Sequence, residues 1–198
     1  MWIMALPTGA HPSGILGNAN TLRIVEIQFD GGNRANLVVE MPNPDRYTTR
    51  DAPHIPRFLF RLFPHLARHR CDNGNGYSFR RECHSTEIPH LLEHLIIELQ
   101  GQAQKSGLLK GETQWDWRID PKGRFHVQVE YENELLVLGA IRVAERIINA
   151  LDSHEFDEMD IQSDVENLKR LARLGYEMGR LSDHQLAQGE AERFAPAN

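Results

Sequence analysis

His90, Glu93 and His94 stand in the order H-x-x-E-H inside the stretch IPHLLEHLIIELQ, residues 88–100. On a helix advancing about 100° per residue, His90 and His94 lie one above the other with Glu93 beside them, so all three groups share a turn. This is the inverted-zincin order: two neutral imidazoles take a zinc ion, and the glutamate accepts a proton from water and returns it to the leaving group. A catalytic zinc takes three protein ligands, and three carboxylates compete for the third place: Glu134, Glu130 and Glu98. Glu134 is preferred, because inverted zincins draw this ligand from a later helix, and Glu98, one turn beyond His94, reads better as a support. A solvated helix face can carry the same letters. Ile97 and Gly101 on that face weigh toward a site, since Lys or Glu is the ordinary choice on a solvated helix.

Helix and hairpin must place these groups. Leu91, Leu92, Leu95, Ile96 and Leu99 give the motif helix an apolar face, expected to run from Glu87 to Gln104, with Ser85 or Thr86 as N-cap and Pro89 in the first turn. Upstream, LRIVEIQF (22–29), the turn DGGN and ANLVVEM (35–41) predict a β-hairpin. Residues 42–56 are loop, and PRFLFRLFPHLAR (56–68) is a helix kinked or divided at Pro64, with Phe58, Leu59, Leu62, Phe63 and Leu66 toward the core. Residues 71–76 form a turn cluster, and YSFRREC (77–83) reads as extended. Alternation over QWDWRID (114–120) and 124–132 predicts a second hairpin, turning at Pro121-Lys122-Gly123, with Trp115, Trp117, Ile119, Phe125, Val127, Val129 and Tyr131 inward. Helices follow over 133–151 and 161–180, around an acidic break at 152–157. The fold class is α+β: a mostly antiparallel sheet from two hairpins, with helices packed on one face.

Composition narrows the function. The chain has 198 residues and a formal charge of −6, which argues against a general nucleic-acid binder while leaving room for local basic patches. Two cysteines, Cys71 and Cys83, are too few for a secreted disulfide framework, and no apolar run is long enough to span a membrane. A cytoplasmic protein without a membrane partner is expected. Residues 1–21 read as a flexible leader, 22–181 as the domain and 182–198 as a disordered tail. Cys83 and His84 read as a buried thiol and a surface imidazole. Arg80 and Arg81 offer a fork for a substrate carboxylate.

The run FRRECHSTEIPHLLEHLIIELQ (79–100), together with FHVQVEYENE and the helix GAIRVAERIINAL, resembles the N-terminal domain of cyanophycin synthetase over roughly residues 22–180. The nucleotide loops of that enzyme's ATP-grasp and ligase domains are missing from this sequence, so a stand-alone domain that does not itself make the polymer is expected. It implies engagement of cyanophycin, a polyaspartate backbone bearing arginine, by a metallopeptidase-like site with His90 and His94 on zinc and Glu93 as base. Arg80, Arg81 and the acidic groups near Glu130 would then meet the substrate. The expected function is zinc-dependent hydrolysis of peptide or isopeptide bonds in cyanophycin or a related Asp/Arg polymer. The alternative is a non-catalytic module that docks the polymer or a separate ligase partner. Homo-oligomerisation is compatible with either.

Overall fold

A computed structural model describes residues 21–71, 76–105, 107–155 and 159–193, with side chains as far as Arg180. Residues 1–20 of the expected leader, residues 194–198 of the expected tail, and parts of the turn cluster and the acidic break lie outside these. Four strands form one antiparallel sheet in the order β1-β2-β4-β3: β1 (Arg23–Asp30), β2 (Arg34–Glu40), β3 (Gly111–Gln114) and β4 (Arg124–Glu130). Five α-helices accompany it: α1 (His54–Leu62), α2 (Phe79–Glu82), α3 (Ile88–Ala103), α4 (Glu134–Ser153) and α5 (Ile161–Arg193). The α+β expectation holds.

The sheet buries one face. Ala35, Leu37 and Val39 of β2 sit opposite Val129, Val127 and Phe125 of β4, and all six are buried, whereas the alternate pairs Asn36–Gln128 and Val38–His126 face outward. In β1 the alternation of IVEIQF is broken by a bulge between Ile24 and Glu26, which lets both Ile24 and the later Ile27 and Phe29 turn toward the core. Helix α3 lies against β3 and β4 and is backed by α4 and α5. The last two approach closely at Gly139, where a Cβ would sit 2.5 Å from Leu171 Cδ1. Among the described residues no helix is long and apolar enough to cross a membrane.

Several local expectations are corrected. Pro64 does divide its helix: α1 ends at Leu62, and a separate 3-10 turn spans Leu66–Arg68. Leu59, Phe63 and Leu66 are buried, but Leu62 faces solvent. The expected extended piece at 77–83 is instead the short helix α2, closed by Cys83 N–H donating to Phe79 C=O. A strand would have aimed Phe79, Arg81 and Cys83 at the same side; one helical turn keeps Phe79 and Cys83 inward and rotates Arg81 into water. Neither Ser85 nor Thr86 caps α3, because Glu87 holds the N-cap position and the Thr86 hydroxyl is used elsewhere.

The second hairpin is displaced by turn chemistry. β3 ends at Gln114, and from Trp115 the chain leaves the sheet, because the Asp116 carbonyl accepts from Ile119 and Asp120 N–H and its carboxylate accepts from Arg118 N–H. Trp115 and Ile119, expected inward, are exposed. An Asx turn thus overrides a seven-residue alternation. Helix α5 continues past the expected end at residue 180 as far as Arg193.

Candidate metal centre

Helix α3 is buried nearly all round: Glu93, His94, Glu98 and Gln100 are as enclosed as the leucines on the opposite side. The expected polar face therefore points into protein, where each polar atom requires a partner. His90 and His94 lie one above the other along the helix, with ring centroids 4.9 Å apart and ring planes tilted at 57°. Against His94, at a centroid separation of 3.6 Å, lies the ring of Phe79 from α2, which also meets His90 edge-on at 5.6 Å. The short helix α2 is therefore a wall that fixes both imidazoles.

Hydrogen bonds set which nitrogen of each imidazole is free. His69, just after the 3-10 turn, places Nε2 2.9 Å from Glu98 Oε2 and Nδ1 3.1 Å from His94 Nδ1. Burial opposes ionisation of Glu98, but hydrogen bonds from His69 and Gln102 hold its carboxyl below the usual range. An ionised Glu98 only accepts, so His69 Nε2 donates to it, and in that neutral tautomer of His69 Nδ1 accepts from His94 Nδ1–H. The lone pair of His94 is left on Nε2. On His90, Nδ1 lies 2.7 Å from Thr86 Oγ1, and Nε2 faces Cys71 Sγ at 3.2 Å. Burial lowers the pKa of both imidazoles, and the neighbouring His90 and His69 lower that of His94 further. Neutral imidazole is the ligating form.

One donor atom each from Cys71, His90 and His94 lie within 4.8 Å of one another. A thiolate and two imidazoles are a zinc donor set, and three protein ligands leave a fourth position open. The group fits. Of the three carboxylates weighed as third ligand, none is in this cluster. Glu134 is exposed at the start of α4, Glu130 Oε2 accepts from Lys110 N–H, and Glu98 supports His69. Cys71 and His69 are the residues that sequence spacing missed. No spacing rule points to either, since both reach the site from the irregular chain after α1. Cys83 is a buried thiol whose pKa burial pushes far up, and His84 is exposed, as read.

Glu93 lies beside His94 on α3, under the edge strand. Thr113 Oγ1 donates to its Oε2 at 2.7 Å, while Oε1 lies 4.0 Å from His94 Nε2. Gly111 makes the room: a Cβ there would sit 2.5 Å from Glu93 Cγ. Burial raises the Glu93 pKa to about 7, against the lowering effect of the Thr113 hydrogen bond. A carboxyl that titrates near neutrality can both take and give a proton. Arg80 and Arg81 are exposed on α2, and the Arg81 guanidinium rests over Tyr77 at 3.6 Å.

The model of the cyanophycin synthase-like N-terminal domain matches residues 36–153, more than half of the chain and all of the centre just described. This chain belongs to that family. A search of curated proteins finds no match. Within this cyanophycin synthase-like domain the matched region runs from β2 to α4, so the family segment carries the sheet core, the arginine-bearing α1 and α2, and the motif helix.

Proposed function

We propose that this chain is a zinc-dependent hydrolase of peptide or isopeptide bonds, acting on cyanophycin or a related Asp/Arg polymer. The reading is carried by one observation: the donor atoms of His90, His94 and Cys71 converge within 4.8 Å, with the Glu93 carboxylate beside them. His90 Nε2, His94 Nε2 and the Cys71 thiolate would hold the ion. Zinc supplies Lewis acidity that polarises a carbonyl and acidifies water. Glu93 takes the proton at Oε1 and later delivers it to the leaving amine, while Thr113 fixes Oε2 so that Oε1 keeps its orientation. Glu98, through His69, holds His94 in the tautomer that leaves Nε2 free. Arg80 and Arg81 meet substrate carboxylates from α2.

The experiment is Glu93→Gln with cyanophycin as substrate. Turnover is expected to fall by about 10²–10⁴-fold, the usual worth of a general acid–base group, with zinc content retained. Equal turnover in that variant removes Glu93 from the reaction. The burial of Glu93 and His94, each 4% exposed, favours a second reading in which the domain binds the polymer, or a separate ligase partner, without cutting. That reading predicts cyanophycin binding by a wild-type protein that releases no product.

A further inference from the structure

Between His54 and Cys71 the chain carries Arg57, Arg61, Arg68 and Arg70 and not one carboxylate, on a protein whose formal charge is −6. Arg57 and Arg61 are one turn apart on α1 and leave the same face. Arg68 belongs to the 3-10 turn and Arg80 to α2. Arg57, Arg61, Arg68 and Arg80 line one cavity of about 530 Å³, together with the apolar Phe60 and Pro64. A second cavity of about 260 Å³ shares Arg57, Phe60 and Arg80 with it and extends to His84. All four guanidiniums are exposed, and among the described residues none of them has an ion pair. The Arg61 guanidinium rests over the ring of Phe58, at 5.5 Å.

Four like charges around one cavity repel one another, and an anion seated among them turns that repulsion into attraction. Each guanidinium presents a planar fork that matches a carboxylate with two parallel hydrogen bonds. We propose that this cleft binds a short acidic peptide segment, whose side-chain carboxylates are taken by Arg57, Arg61, Arg68 and Arg80 while its backbone lies over Phe60 and Pro64. Nucleic acid suits it less well. Single strands are held on free aromatic faces along an extended basic groove. Here Phe60 is engaged in a T-shaped contact with Phe79, with ring planes at 89°, and the protein beyond the patch is acidic. The cleft shares no residue with the candidate metal centre, and the Phe79 ring touches both: it stacks on His94 and meets Phe60 in a T-shaped contact. The proposal extends to a whole cleft the carboxylate-binding role proposed above for Arg80, and it stands whether or not the centre holds zinc.

The test uses the full chain and fluorescence anisotropy with a labelled oligo-aspartate peptide, before and after chelator treatment. Binding is expected in both states, and Arg61→Gln with Arg68→Gln should weaken it by about tenfold or more, since two charged forks are lost. Arg173→Gln, an exposed arginine on α5, should leave it unchanged. Arg57→Lys with Arg61→Lys keeps the charge and loses the forks, and should bind more weakly than wild type. The proposal is overturned by no binding, by binding that the glutamine pair leaves intact or the chelator abolishes, by equal binding in the lysine pair, or by tighter binding of an oligothymidylate of matched charge.

Discussion

Helices α1 and α3 are both amphipathic, yet their polar residues meet opposite fates. On α3 the polar face is roofed by β3 and walled by α2 and the 69–71 segment, so His90, Glu93, His94 and Glu98 each have a hydrogen-bond partner and shifted protonation. On α1 the polar face stays in water, and Arg57 and Arg61 are exposed and without a counter-ion among the described residues. Desolvation makes a side chain chemically selective, and exposure leaves it free to meet a ligand. One helix thus suits chemistry and the other recognition, with Phe79 as their shared boundary.

The comparison breaks most severely at Phe79. Phe79→Ala removes a fully buried ring and should cost about 3–5 kcal/mol in urea unfolding, and it should weaken zinc binding by releasing both imidazoles. Next comes the pH dependence of the metal-free protein. The Glu93 pKa is raised from 4.5 to about 7, so its stabilising contribution is complete below 4.5 and is lost as pH rises through about 7. Wild type should lose on the order of 3 kcal/mol relative to Glu93→Gln across that window, read from unfolding curves at several pH values. His90 and His94, whose pKa values are lowered, contribute stability that is present above 6.5 and lost as pH falls, so in Glu93→Gln the acid-side loss should remain while the loss toward pH 7 disappears. A smaller effect is expected at Thr113→Val, which leaves Glu93 Oε2 without its donor and should cost about 1–3 kcal/mol while moving the Glu93 titration upward. Smallest of all, Arg61→Gln on the exposed face should change stability by less than about 0.5 kcal/mol, since no ion pair is lost. A large loss there would mean that the cleft is part of the structural framework.

Where a single periodicity governed a segment, the sequence carried the answer. β2, β4, α3 and α4 each follow one repeat, and His90, Glu93 and His94 were legible because a helix fixes their spacing. Competing local chemistry hid the rest. Asp116 drew the chain out of the second hairpin, and Phe79 and Cys83 favoured a helical turn over an extended piece. The third donor could not be read from spacing at all. Cys71 and His69 arrive from the irregular chain beyond Pro64, so their place depends on how that segment folds back across α2 and α3.

The most direct measurement is metal content per chain by elemental analysis, on protein purified without chelator, for wild type and for His90→Ala, His94→Ala and Cys71→Ala. About one zinc per wild-type chain is expected, with loss of zinc in each variant and a rise in wild-type thermal stability when zinc is restored to chelator-treated protein. Wild-type protein that holds no zinc and gains no stability from it would contradict the metal centre. Zinc retained by Cys71→Ala at the wild-type level would return the third ligand to a carboxylate.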